Sequence, residues 1–558
     1  MKGEEYIGSQ IRDRSWNKTR RVSGVISAGF FLVTVAVSVL TFAGSPALAR
    51  TVHVPGGSAT IQAGIDGTVH GDTVLVADGV YTGEGNRNLD FLGKAIVVRS
   101  ENGPEVTVIS AGNSGRGVNF ISGEDLASRL EGFTIRYGKA DNGGGIYISD
   151  SSPVIDGCVI LGNRASHCGG GIYCNNSSPW IMNCTITENL AQDAVFENAS
   201  GGGICGHNSS LTVKNCTISR NQTNATPHSP NPYDESVGGG IHCSGSYIDN
   251  CHIHGNTAGG TGGGITCSYS TITNCLIIGN GTNRESSAGG GVACEYTKIS
   301  HSLVIENGAA DGPGGGILCG DSTTIIHCVL SKNAHGYGSY GGGICAVFSA
   351  SPVIKNCIIR ENHGEEIATN TGEAVVSFSN IENGWPGEGN VDVDPLFRDP
   401  ENGDYHLMAI YCGDPYDSPC IDAGHPDSLD SMMDCWHGLG TERADMGAYG
   451  GGNTGWPTSV MELNESHSVS PKEFGLYQNY PNPFNSQTEI GYYLARSEIV
   501  TLSIFNIRGQ LVATLTDGFQ EAGSHHVTWY ARGLSSGIYF ARLEAGGNGT
   551  TIKMILLK

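Results

Sequence analysis

His252 and His254 flank Ile253, and this spacing is the first in the chain that could do chemistry. Residues at i and i+2 of a strand project to the same side. With Ile253 turned inward, both imidazoles face outward together. Such a pair could ligate a metal or act as acid and base. His242 stands outward on the preceding strand of the same repeat, and Arg220 and Glu188 hold one equivalent position in two earlier repeats. These five residues form the candidate ligand-binding set, and the same pattern also suits a solvated surface. A second chemistry belongs to Asp392, Asp394, Asp422 and Asp445. Their carboxylate oxygens are what a hard cation such as calcium selects, although aspartates in turns equally serve to close the end of a fold. No other cofactor is evident.

The elements that must carry these residues are set by a repeat. A Gly-Gly-Gly run followed by Ile or Val starts at Gly143, Gly169, Gly201, Gly238, Gly262, Gly289, Gly314 and Gly341, at intervals of 26, 32, 37, 24, 27, 25 and 27 residues. A unit near 25 residues, with insertions at 190–200 and 222–237, is a solenoid period. Each unit then repeats a small residue, a branched residue two positions on and an Asn five positions on, as in Cys184, Ile186 and Asn189 or Cys251, Ile253 and Asn256. Phe133 with Gly138 and Phe378 with Asn383, the latter around Asn380, read as degenerate terminal rungs. Apolar–polar alternation over four or five positions is a strand with one buried face. Short strands wound one rung above the next predict a parallel β-helix. The recurring Asn is expected to tolerate left-handed backbone and to bond the Asn one rung away. The first glycines suit a tight corner. Earlier rungs are expected at Val74 and Val76, Ile96 and Val98, Val106 and Val108, and Val118 and Phe120. Ser58 is expected to begin a short capping helix that buries Ile61 and Ile65.

Composition narrows the partners. With 54 acidic and 31 basic residues the formal charge is −23, which leaves no basic stripe for nucleic acid. A uronate polymer would need a local basic patch or a metal. An apolar run from Val25 to Phe42, followed by small residues at Ala47 and Ala49, reads as a signal peptide over 1–49 with cleavage between Ala49 and Arg50. No further stretch is apolar enough to span a bilayer in the mature chain. Most of the 18 cysteines fall at two inward positions of successive rungs. Rungs about 4.8 Å apart separate such thiols too far to bond. Buried, largely reduced thiols are therefore expected, with a few bridges left open, first among Cys412, Cys420 and Cys435. The second insertion, with Pro227, Pro230, Pro232 and Tyr233, could wall a groove.

Ala59-Thr60-Ile61-Gln62-Ala63 and Gly71-Asp72-Thr73-Val74-Leu75-Val76-Ala77-Asp78-Gly79-Val80-Tyr81, with the Asn–Cys rungs, resemble bacterial right-handed parallel β-helix proteins of the pectin-lyase-like type. Gln478-Asn479-Tyr480-Pro481-Asn482-Pro483-Phe484-Asn485, Ser536-Gly537-Ile538-Tyr539 and the closing Lys553-Met554-Ile555-Leu556-Leu557-Lys558 resemble the immunoglobulin-like, type A C-terminal sorting domain of type IX secretion. The resemblances imply an all-β chain: a β-helix with its N-terminal cap over 50–384, a C-terminal cap over 385–452, a linker over 453–472 and a β-sandwich over 473–558. They also imply handling by the type IX machinery and a place outside the cell or on its outer surface. Polygalacturonase-type Asn-Thr-Asp, Asp-Asp, Gly-His-Gly and Arg-x-Lys segments are missing, and no pectate-lyase calcium and arginine set assembles. The expectation is a protein that binds polysaccharide or another extracellular surface. The alternatives are a lyase or hydrolase acting on acidic glycans, and a structural or adhesive solenoid.

Overall fold

The computed structural model describes residues 49–451, apart from 193–198, 225–235, 285–286, 337–339, 431–433 and 436–437, and most of 475–557. The leader, the linker and the prolines and Tyr233 of the second insertion lie outside the described residues. The chain divides into two compact units. One comprises residues up to Pro395 with Pro419–Thr458, and the other Leu396–Ser418 with Ser459–Lys558.

The first unit is a parallel β-solenoid. Among the described residues its strands form parallel sheets of 23, 11 and 6 members. One turn is built from Ile172–Asn175, Trp180–Met182, Thr185–Thr187 and Leu190–Gln192. These strands belong to four stacks, the second and third of which make up the largest sheet. Register is strict: Ile160 pairs with Ile186, Ile186 with Ile218 and Ile218 with Ile253. Each of these side chains is buried, so an isoleucine column runs up the axis. A one-residue slip would turn every one of them to solvent. The thiols form a parallel column: Cys158, Cys184, Cys216, Cys251 and Cys275 are free and buried. In the other inward thiol stack, burial pushes Cys243 up to about 11 and Cys294 to about 12, so these thiols pack as small apolar fillers. Cys412 and Cys435 are each disulfide-bonded, whereas Cys420, grouped with them as a bridge candidate, is a buried thiol whose Sγ accepts from Asn380 Nδ2 at 3.2 Å.

The asparagine column is fully hydrogen-bonded. Asn221 Nδ2 donates to Ile186 O at 2.8 Å and to Asn256 Oδ1 at 3.0 Å, while its Oδ1 accepts from the backbone and side-chain amides of Asn189 at 3.0 and 2.9 Å. The left-handed residue of this corner, however, is not the ladder Asn. It is the residue before it: Glu188 (φ 58°), Arg220 (φ 50°) or Gly255 (φ 61°). The ladder Asn is needed for its amide. Left-handed asparagines instead occupy the preceding corner, at Asn183, Asn215, Asn250 and Asn274.

Three further expectations are corrected at the ends. The capping helix α1, Ile61–Asp66, is capped by Thr60, whose side chain accepts from Ala63 N; Ser58 lies two residues too early. Ile61 and Ile65 are buried as expected. In the rung at Thr107–Ser110 all four residues are buried, Val108 as expected, but Thr107 and Ile109 are the fully buried ones, and Val106 is exposed. In the last rung Ile359 pairs with Ile381, and Ser379 Oγ accepts from Cys357 N at 3.1 Å. The Phe378, Asn380 and Asn383 alignment was therefore one residue out of register. At the other boundary Arg50 N donates to Asp72 Oδ1 at 2.9 Å, and both Ala49 and Arg50 are exposed.

In the second unit, Gly475–Leu476, Gln487–Leu494 and Gly523–Tyr530 form a three-stranded antiparallel sheet. Glu498–Asn506, Leu511–Gln520, Gly537–Ala545 and Asn548–Leu556 form a four-stranded one. Their inner faces bury Tyr492, Leu502, Ile504, Trp529, Leu543 and Met554 in one core, the packing of a small β-sandwich. Phe484 N donates to Ile555 O at 2.8 Å and Leu557 N to Phe484 O at 2.7 Å. The opening motif and the closing strand, far apart in sequence, are thus hydrogen-bonded neighbours.

Candidate functional site

His252 and His254 lie on the third stack, on a strand paired with Thr217–Ser219 on one side and Leu276–Ile278 on the other. Both project outward around buried Ile253, and their rings stack at 4.2 Å. Burial pushes His252 down to about 3, helped by His254; burial and then Arg220 lower His254. Both imidazoles are therefore neutral near pH 7, able to donate at one nitrogen and accept at the other. His252 Nε2 is buried with no hydrogen-bond partner. A histidine whose folded value is depressed contributes stability above its unfolded value of 6.5 that is lost as pH falls toward about 3. His252→Asn should accordingly flatten the acid limb of a thermal-midpoint profile measured between those two values.

Arg220 and Glu188 are brought together. Arg220 Nε and Nη2 donate to Glu188 Oε1 at 3.2 and 3.1 Å across one rung. Both side chains are more than half exposed, so the pair is worth at most about 1 kcal/mol. Arg220 N also donates to His254 O at 3.2 Å, which places the pair beside the histidines. His242 does not join them. It lies on the first stack, paired with Cys205 and Thr266, on a different wall of the solenoid. The shared repeat put it on the same turn, but a corner of the winding separates the two directions.

Beyond His252–His254 the third stack is covered. Leu303, Ile305, Val329 and Ile358 are buried, and described residues from 419–451 fold back over the later of these rungs. Gly447 lies against Ile358 and Val329 and donates its N–H to Asn356 O at 2.8 Å. Asn356 Oδ1 accepts from His425 N at 2.8 Å, and His301 Nε2 meets Gly451 O at 3.3 Å. The histidine pair, with half-buried Thr217 and Thr185 on the rungs before it, therefore marks where this wall meets solvent, whereas Ser219 and Thr187 are buried, Ser219 Oγ donating to Thr187 Oγ1 at 3.0 Å.

The four aspartates do not converge. Asp392 is bonded to Arg360 Nη1 at 2.6 Å. Asp422 Oδ1 accepts from Thr441 N and Oγ1 at 2.8 and 2.7 Å. Buried Asp445 accepts from Asp422 N and Leu439 N, both at 2.8 Å. Burial, opposed by those amides, lifts it to about 8. The carboxylates of Asp422 and Asp445 thus tie the folded-back segment together. Among the described residues no group of three or more His, Cys, Asp or Glu side chains is placed to share a metal ion.

An aromatic strip on the second stack was not anticipated from the repeat. Trp180 pairs with Thr212 and Thr212 with Tyr247. The two aromatic side chains point outward two rungs apart and are 42% and 38% exposed. Lys214 Nζ lies 5.0 Å from the Tyr247 ring centre and 3.2 Å from Asp249 Oδ2. The signal was present: each aromatic immediately precedes an inward Ile, at Ile181 and Ile248, which by alternation sends it to solvent.

The family model described as "Right handed beta helix region" matches residues 74–225 and 117–336, and that described as "Secretion system C-terminal sorting domain" matches 478–558. No curated protein matches the chain. Among solved structures, the chain is similar to an alginate lyase from Paenibacillus sp. str. FPU-7 at 14% identity and TM-score 0.27, over 59% of this chain and 97% of that one. It is similar to the pectin methylesterase from Aspergillus niger at 11% identity and TM-score 0.23, over 60% and 87%. It is similar to the Siphovirus 9NA tailspike receptor binding domain at 9% identity and TM-score 0.21, over 90% and 98%. Likeness at this level speaks to neither site nor substrate. Among the described residues no helix is long and apolar enough to cross a membrane. The chain is a right-handed parallel β-helix protein that carries a type IX secretion C-terminal sorting domain, and that domain marks it for export to the medium or the outer cell surface.

Proposed function

We propose that this exported β-helix binds polysaccharide outside the cell and does not cleave it. The observation that carries this reading is the outward strip of Trp180, Thr212 and Tyr247, held in strict register on a rigid wall. Exposed aromatic faces offer large apolar contact area at small entropic loss, and neighbouring hydroxyl and amide groups supply orientation. Thr212 lies between the rings, and exposed Asn183 and Asn215 with half-buried Asn250 form an amide row at the adjacent corner, Asn215 Nδ2 donating to Asn183 Oδ1 at 3.1 Å and Asn250 Nδ2 to Asn215 Oδ1 at 2.9 Å. The neutral histidine pair on the next wall adds donors and acceptors without adding charge.

The test is retention of the mature full-length protein in native gels cast with a panel of polysaccharides. The expected result is retardation by at least one of them, weakened about 10-fold, or about 1.4 kcal/mol, in each of Trp180→Ala and Tyr247→Ala. No new reducing ends and no unsaturated products should appear during incubation. Release of either product, or unchanged retardation in the double variant, would sink the reading.

A further inference from the structure

At the corner joining the first stack to the second, successive rungs place one residue in left-handed conformation: Asp150, Asn176, Asn208, Gly245, Tyr269 and Tyr296, with φ between 48° and 60°. Asp, Asn and Gly are the residues that accept this geometry at small cost, while a bulky aromatic there is an outlier. Tyr269 and Tyr296 break the pattern on two consecutive rungs. Neither ring is used to fill the core. They are 63% and 41% exposed, and they stack on each other with centres 4.8 Å apart and planes 4° from parallel. Strained backbone that presents side chains to solvent is a mark of a functional surface.

The surroundings specify the chemistry. Tyr296 N donates to Asp321 O at 2.7 Å and Tyr269 N to Glu295 O at 3.1 Å, so two acidic residues adjoin the stack. Asp321 chiefly, with burial, raises the Tyr296 phenol, and burial followed by Asp321 raises Glu295. The charges felt here are negative. Beside them Ser268 Oγ donates to Ser244 Oγ at 3.0 Å, a hydroxyl pair on the two rungs before Glu295.

We propose that the Tyr269–Tyr296 stack is a binding platform for a cationic amino-sugar polysaccharide. The apolar face of a sugar ring lies on the exposed tyrosine, the ammonium group pairs with Asp321 and Glu295, and the Ser244–Ser268 pair orients the hydroxyls. A uronate chain is repelled by the same carboxylates. The inference rests on the polysaccharide-binding reading and gives it a second contact and a charge class.

The probe is a hexamer of glucosamine, compared with a neutral glucose hexamer and a uronate hexamer, with binding to the full-length mature protein followed by tyrosine fluorescence and calorimetry. The glucosamine hexamer should bind most tightly. Tyr269→Asn and Tyr296→Asn should each weaken it 10-fold or more without lowering the thermal midpoint, because Asn is the residue that Asn176 and Asn208 supply at this corner. Asp321→Asn should weaken binding and reduce its dependence on salt. Unchanged affinity in both tyrosine variants, or preference for the neutral or the uronate hexamer, overturns the platform alone if gel retention still depends on Trp180 and Tyr247. Failure of every polysaccharide and every hexamer overturns both proposals.

Discussion

Asn221→Ala should destabilise the solenoid by about 4 kcal/mol, since each buried polar group left without a partner costs about 1–3 kcal/mol. The variant removes the partner of the Asn189 backbone N–H, of one of the two Asn189 Nδ2 hydrogens (the other stays on Ile160 O), of the Ile186 carbonyl and of one acceptor position on Asn256 Oδ1. All of these lie where Asn221 itself is fully buried, so water cannot replace the lost partner. Urea unfolding of the full chain, followed by far-ultraviolet circular dichroism, measures the loss. The control is Asn215→Ala at the neighbouring corner. That amide also bridges two rungs, but it is exposed, and its loss should amount to about 1 kcal/mol, mainly the left-handed backbone preference. Equal losses for the two variants would mean that the buried amide column is not what holds the rungs in register.

Gly202→Ala should cost about 3 kcal/mol, the upper end of the range for overpacked sites, or prevent accumulation of folded protein. A Cβ there would sit 2.5 Å from the carbonyl oxygen of Gly239 and 2.6 Å from the carbonyl carbon of Gln222. Both obstacles are backbone of the next turn, so no side chain can rotate away. Gly279→Ala separates this crowding from simple backbone preference. Gly279 has φ 61° and open space around its would-be Cβ, so about 1 kcal/mol is expected there. Thermal midpoints of the two variants provide the comparison. A Gly202→Ala protein as stable as Gly279→Ala would remove close rung approach as the reason for the middle glycine.

Much of this was legible in the chain because a solenoid is nearly one-dimensional. Each rung meets only its neighbours, so the column that holds Ile186 and Ile218 can be read by aligning the sequence against itself. The Cys184 and Cys216 positions were readable for the same reason. The reading failed where the repeat stopped. At Ile381 and Ile109 no neighbouring copy corrected a shift of one residue, and at α1 the cap depended on where Thr60 sat relative to Ala63. It also failed across corners, since a repeat shows that His242 and His252 share a turn and not that they face different walls.

The sequence by itself determined the parallel winding, the inward columns, the amide ladder and the sorting domain at the C-terminal end. These follow from local alternation, turn chemistry and recurrence, all of which are properties of short segments. Tertiary structure alone decided how far the outer walls are open. Described residues from 419–451 fold back, with Gly447 against Val329 and Ile358, residues that alternation assigns to solvent. It also decided that Tyr269 and Tyr296 meet face to face. Contacts of this kind depend on the path of the chain around a corner or back from the far end, which no periodicity within a single turn encodes.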